Sequence, residues 1–237
     1  MYIRPTTNLI NLKISNHLMQ LQISKEMSSR FPGLNIGVVI AKEIDNNGKD
    51  EKIYHLVKEV EDFIKLDFVP EKSVSIEKIK KHIAKHKLIS VYRAAYYEMH
   101  KKPTHYHTNV ERLMATVLKG KKIPKENKLQ DCINYISLKN IVPVSGFDLD
   151  KVKEPITLGI KKEVLYYDKK GSLTSRWNWK QARAEITKDT KNAMIVVDGL
   201  PPVTKNKVNE ITNQLKEVIE MFCGGKVESY VLDKSGY

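Results

Sequence analysis

The stretch Thr108–Tyr167, TNVERLMATVLKGKKIPKENKLQDCINYISLKNIVPVSGFDLDKVKEPITLGIKKEVLYY, contains the change of hydrophobic period that decides the fold. Thr108-Asn109-Val110-Glu111 opens it as a capping box, hydroxyl to one orphan N–H and carboxylate back to another. Val110, Leu113, Met114, Val117 and Leu118 follow at helical spacing, and Gly120 is placed to end that helix. Lys128–Leu138 predicts a further helix. Beyond Pro143 the pattern shortens. Ile156–Ile160, Val164–Tyr167, Leu173–Trp177 and Ala193–Val197 read as strands, with a polar turn at Asp168–Gly171.

Toward the N-terminus, Leu18–Ile23 is a short strand. Leu34–Ala41 is a buried strand after the Phe31-Pro32-Gly33 turn. Ile53, Leu56, Val57, Val60, Phe63 and Ile64 make Lys52–Lys65 an amphipathic helix. Ser75 caps a second, very basic helix from Ile76, and another carries Tyr92, Arg93, Tyr96 and Tyr97. Toward the C-terminus, Val208, Ile211, Leu215, Val218, Ile219 and Phe222 form a last helix that Gly224-Gly225 stops, before a closing strand at Val227–Leu232. Helices fill the first half and strands the second, which predicts an α+β fold. Residues 1–17 read as a leader and 18–237 as one domain.

With 237 residues the chain can bury a core without disulfides or metal. Its longest apolar run, near Ile36–Ala41, is far short of the roughly 20 residues of a membrane span, so no membrane partner is expected. Two cysteines cannot build a disulfide framework, which points to a reducing, cytoplasmic setting. Forty-one basic against 28 acidic residues give a net charge of +13. That excess favours a polyanionic partner such as nucleic acid.

Common catalytic signatures are missing: no phosphate loop, no dinucleotide fingerprint, no nucleophile elbow. His82 and His86 stand four apart, but Ile83 occupies the place of a zinc hydrolase's glutamate and no third ligand appears. No metal and no cofactor are expected. His105 and His107 read as surface histidines. Cys132 lacks a paired base and reads as a small buried residue, and Cys223 lies at the wrong end of its helix for activation by the dipole.

Two polar clusters stand out. On the helix beginning near Lys128, Asn127, Asp131 and Asn134 share a face beside an apolar stripe, a pattern for hydrogen bonding to something specific or for capping and a buried network. In Arg176-Trp177-Asn178-Trp179-Lys180, an extended backbone would place both tryptophans on one side and the cations on the other. Aromatics beside cations suit stacking on a base and contact with phosphate, and the alternative is a core tryptophan pair with a basic edge.

These clusters, with Phe31–Leu34, Arg93-Ala94-Ala95-Tyr96, Leu118–Pro124, Asn127–Asp131, Asn134–Leu138, Pro143, Phe147–Asp150, Tyr166-Tyr167-Asp168, Arg176–Gln181, Ile186-Thr187 and Thr190, resemble the B3/B4 domain of the phenylalanyl-tRNA synthetase beta subunit. The resemblance runs over roughly residues 20–230. It implies mixed and antiparallel sheets of unusual topology flanked by helices, with a pocket between two sub-parts. It also implies an editing activity, hydrolysis of the ester of a mischarged tRNA, performed in trans by a freestanding module. The sequence departs from the pattern at Lys180, where arginine is expected, and at Ala184-Glu185, where threonine is common. The roles that follow are Asn134, Asp148 and Asn178 in catalysis, with Asp148 on the substrate's ammonium. Asn127, Asp131, Ser137, Trp177, Trp179 and Thr187 would contact substrate. Lys119, Lys121, Lys122, Lys125, Lys128, Arg176 and Lys180 would meet tRNA phosphates, and a synthetase is a possible docking partner. An activated ester needs only a positioned water and oxyanion stabilisation, so no nucleophile triad is required. Two other readings stay open: a tRNA-binding module without catalysis, and a binding protein for a small amino-acid-like ligand.

Overall fold

The computed structural model describes residues 21–68, 75–102, 105–175, 177 and 180–233. The expected leader lies outside them. In chain order the elements are β1 (Leu21–Ile23), α1 (Lys25–Arg30), β2 (Asn35–Lys42), α2 (Glu51–Phe68), α3 (Ile76–Lys85), α4 (Lys87–Glu98), α5 (Asn109–Leu118) and α6 (Lys128–Asn140). There follow β3 (Val144–Asp148), β4 (Ile156–Ile160), β5 (Val164–Asp168), β6 (Gly171–Ser172), β7 (Thr174–Ser175), β8 (Lys180–Gln181), β9 (Ala193–Gly199), α7 (Lys205–Cys223) and β10 (Lys226–Leu232).

The fold is α+β. One four-stranded antiparallel sheet runs β10-β2-β9-β3, and a second runs β1-β4-β5-β6 with β1 parallel to β4. β7 and β8 form a separate pair. The first sheet is buried on both faces, and its alternation shows why. Val39 and Ala41 of β2, with Ile195 and Val197 of β9, pack toward the helices, whereas Ile36, Val38, Met194 and Val196 pack toward the second sheet. Each such aliphatic side chain stabilises the fold by about 1.5–3 kcal/mol on burial. α7 lies close on the helix-side face because Gly37 has no side chain: a Cβ there would come 1.9 Å from Thr212 Oγ1.

The cap chemistry sets the helix starts. Ser24, Ser75, Asn127 and Thr204 each accept a hydrogen bond from the backbone N–H three residues on. Thr108 does the same for Glu111, but the other half of the expected capping box is replaced: Glu111 Oε1 takes Arg93 Nε at 3.1 Å and faces His107 Nδ1 at 3.1 Å. Two further expectations change. Phe63 is 68% exposed on the outer side of α2, because the buried stripe runs through Ile53, Val57, Glu61, Ile64 and Phe68 instead. Leu173–Trp177 is not one strand: β6 and β7 flank Leu173, and Trp177 turns out of extended backbone with φ of 48°.

Candidate functional site

A cavity of about 540 Å³ opens at the free edge of β3, in the size range of small-molecule sites. One wall is α5, through Asn109, Arg112, Leu113 and Thr116. The loop from α5 to α6 gives Lys121, Lys122 and Glu126, and α6 gives Gln130 and Asn134. The floor is Val144, Ser145 and Gly146 of β3, and the far side is Gln181, Glu185 and Ile186. Gly146 lets that side close in: a Cβ there would meet Ile186 Cδ1 at 2.4 Å.

Local hydrogen bonds hold the walls. Asn46 donates from Nδ2 to Thr187 O and accepts from Leu129 N through Oδ1, both at 2.7 Å, so one buried amide ties the far side to the start of α6. Asp148 N donates to Ala184 O at 2.8 Å, fastening the same segment to β3. Buried Glu61 of α2 accepts Ile123 N at 2.7 Å and anchors the basic loop. Asn109 Nδ2 donates to Val144 O, joining α5 to β3.

Of the residues singled out in the sequence, Asn134, Lys121 and Lys122 come together at this cavity. Asn134 is 7% exposed, and its Oδ1 accepts from Gln130 Nε2 at 3.1 Å. Its Nδ2 has no hydrogen-bond partner among the described residues and is left for an occupant. Ser145 Oγ, also buried, has no partner there either. Asn127 is the N-cap of α6, accepting Gln130 N at 2.9 Å. Asp131 is 3% exposed in the first turn of that helix, with Oδ1 accepting Glu126 N at 3.4 Å and Oδ2 unpartnered. Burial pushes its carboxyl up to about 6. Burial, and then the Glu185 carboxylate, also raise Glu126.

The structure gives other work to several candidates. Ser137 Oγ donates to Val142 O at 2.7 Å and closes the C-terminus of α6 beyond Ile141, whose backbone is left-handed. Asp148 is engaged: it pairs with Lys151 Nζ at 2.7 Å, accepts Thr190 Oγ1 at 2.8 Å and Asp150 N at 3.2 Å. These contacts take up most of the roughly four acceptor positions of its carboxylate. Thr187 shapes the turn that ends at Thr190, whose Oγ1 accepts Thr187 N at 2.9 Å. Trp177 is 1% exposed and meets Phe31, Tyr92 and Tyr96 edge-on at 5.2–5.9 Å, so it offers no face to a base. Arg176, Asn178 and Trp179, and the side chain of Lys180, lie outside what the structure describes. Lys125 is tied to Glu51 at 2.9 Å and sits over the Tyr54 ring, and Lys128 pairs with Asp45 at 2.6 Å. Lys119, Lys121 and Lys122 are exposed.

Sequence reasoning missed Arg112, Gln130, Ser145, Glu126 and Glu185 as lining residues. Glu185 alone had a signal, as a departure from a common threonine. The histidines take local roles: His86 Nδ1 accepts Leu88 N at 3.4 Å, and His82 Nδ1 lies 3.3 Å from Phe68 O. Hydrogen bonding with Cys223 and burial raise the Cys132 thiol well above its ordinary range, the opposite of a reactive thiolate. Among the described residues no group of three His, Cys, Asp or Glu is placed to hold a metal ion. No described helix is long and apolar enough to cross a membrane.

The site is thus an open polar cavity in an α+β module, bounded by two helices and the edge strand of a sheet. Residues 91–164, from α4 to the start of β5, match the family model of the B3/4 domain. This segment includes α5, α6 and β3, three of the cavity's boundaries. An uncharacterized protein of Bacillus subtilis (strain 168), YhzB, is 22% identical over 120 residues, 50% of this chain and 58% of that protein. The crystal structure of an N-terminal fragment of the phenylalanyl-tRNA synthetase beta-subunit from Pyrococcus horikoshii aligns with a TM-score of 0.41 and 13% identity, over 92% of this chain and 53% of that one. The chain therefore spans under two thirds of either relative.

Proposed function

We propose that the protein hydrolyses the ester of mischarged aminoacyl-tRNA in trans. One observation carries the reading: the cavity bounded by the B3/4-matched segment combines an amide donor without a partner among the described residues, Asn134 Nδ2, with exposed cations at Lys121 and Lys122. In the step, water adds its oxygen to the ester carbonyl, the bond to the ribose oxygen breaks, and that oxygen leaves with a proton from the water. Asn134 Nδ2 would donate to the carbonyl oxygen as negative charge develops there. Removal of one such donor costs about 3–4 kcal/mol of transition-state stabilisation in enzymes that depend on it. Lys121 and Lys122 would take the phosphates of the terminal nucleotides, and the charge of +13 would draw tRNA in from solution.

A binding protein for a small amino-acid-like molecule is the second reading, favoured by carboxylates and ammonium groups lining one cavity. The test is amino-acid release from a panel of correctly and incorrectly charged tRNAs, with protein far below substrate. Multiple turnovers on one mischarged species, lost in Asn134→Ala, are expected. No release from any member of the panel would overturn the deacylase reading.

A further inference from the structure

The cavity keeps opposite charges apart. Glu126 and Glu185 line it, as do Lys121 and Lys122, and none of the four makes a side-chain ion pair among the described residues. Glu185 instead takes a contact through its backbone oxygen, which accepts Lys151 Nζ at 3.1 Å. Elsewhere on the same surface such charges do pair, as in Lys125 with Glu51 and Lys128 with Asp45. Glu126 and Glu185 line one cavity, and the Glu185 carboxylate adds to burial in raising Glu126, so a cation that enters stabilises both. The same cavity is lined by Asn134 and Ser145, each 7% exposed, and Ser145 Oγ is buried without a partner among the described residues. A buried hydroxyl left unpaired is costly, and an occupant with a matching polar atom removes that cost.

We propose that Glu126 and Glu185 bind the primary ammonium of an aminoacyl ligand, while Lys121 and Lys122 bind a phosphate of the nucleotide that carries it. Asn134 and Ser145 hold the acyl carbonyl between the two ends. This rests on the aminoacyl-ester reading and deepens it, placing the ammonium contact on carboxylates that line the cavity itself. Charge-assisted hydrogen bonds to carboxylate suit an ammonium, and N-acylation of the ligand removes that charge.

The test uses 3′-aminoacylamino-3′-deoxyadenosine 5′-phosphates, whose amide resists hydrolysis, as a panel of side chains in free-amine and N-acetyl forms. Calorimetric titration should show at least one free amine bound tenfold or more tighter than its N-acetyl form. Glu185→Gln and Glu126→Gln should remove that preference without weakening the N-acetyl compound. Lys121→Ala with Lys122→Ala should weaken the 5′-phosphate but leave the 5′-hydroxyl analogue unchanged. Equal affinity for amine and N-acetyl forms, retention of the preference in both glutamine variants, or no binding across the panel would overturn the inference. Hydrolysis of aminoacyl-tRNA and N-acetyl-aminoacyl-tRNA at equal rates would overturn it while leaving deacylation intact. Amine-selective binding without tRNA hydrolysis would support it and remove the deacylase reading.

Discussion

Asp131 is a buried carboxylate without an ion pair among the described residues, and replacing it tests how the start of α6 is stabilised. Its carboxyl rises from 3.8 to about 6 on folding, chiefly through burial. At about 1.4 kcal/mol per unit, this gives a penalty of about 3 kcal/mol for the ionised form. Two effects reduce what Asp131→Asn recovers. A carboxylate in the first turn of a helix gains about 0.3–1 kcal/mol from the helix dipole, which asparagine forgoes. The new amide N–H also takes the place of unpartnered Oδ2 and costs about 1 kcal/mol if it stays unpaired. Asparagine keeps the acceptor for Glu126 N. The net expectation is a gain of about 1–2 kcal/mol at pH 8. The sign follows from the raised folded value. Protonation is favoured in the native state, so the wild type is unpenalised below pH 3.8, loses stability as pH rises through about 6, and loses no more beyond. Urea unfolding of both proteins at pH 4 and pH 8 measures the difference, with the slope on urea unchanged. The gain should shrink to about half a kcal/mol or less at pH 4. A variant no more stable than wild type at pH 8, or equally stabilised at both pH values, would refute the argument.

Gly37→Ala should destabilise by at least about 1–3 kcal/mol through overpacking against α7, with partial recovery on adding Thr212→Ala, read by chemical unfolding. Asp148→Ala should cost about 2 kcal/mol, because Lys151 and Thr190 lose their charged partner. Its hydrolytic rate, measured well below its melting temperature, should fall less than fivefold; complete loss in a folded variant would return Asp148 to the site. Lys121→Ala with Lys122→Ala should reduce the slope of log affinity for tRNA against log salt by about 1.4. Lys125→Ala should leave that slope unchanged, because Lys125 is committed to Glu51 and Tyr54.

The sequence by itself determined most of the secondary structure and the division of the chain into helical and strand-rich halves. Those features follow from local rules, visible in the caps at Ser75, Thr108 and Asn127 and the apolar stripes of α5 and α7. It also marked Asn134, Lys121 and Lys122, which polarity or charge made conspicuous. What it could not decide was which polar residues have their bonding capacity consumed by the fold. Asp148 and Asn134 both lie in matching strings. Contacts with nearby Lys151 and distant Thr190 engage the first, and the open edge of β3 leaves the Nδ2 of the second without a partner among the described residues. Trp177 reads from the sequence as a substrate contact with burial as the alternative, and Phe31, Tyr92 and Tyr96, far away in sequence, enclose it. Glu126 and Glu185 are 59 residues apart and line one cavity because Asn46 and Asp148 N tie the 184–187 segment beside α6. Periodicity reports which face of an element is apolar, whereas the chemistry of a cavity depends on groups from several elements and on which partners each has left.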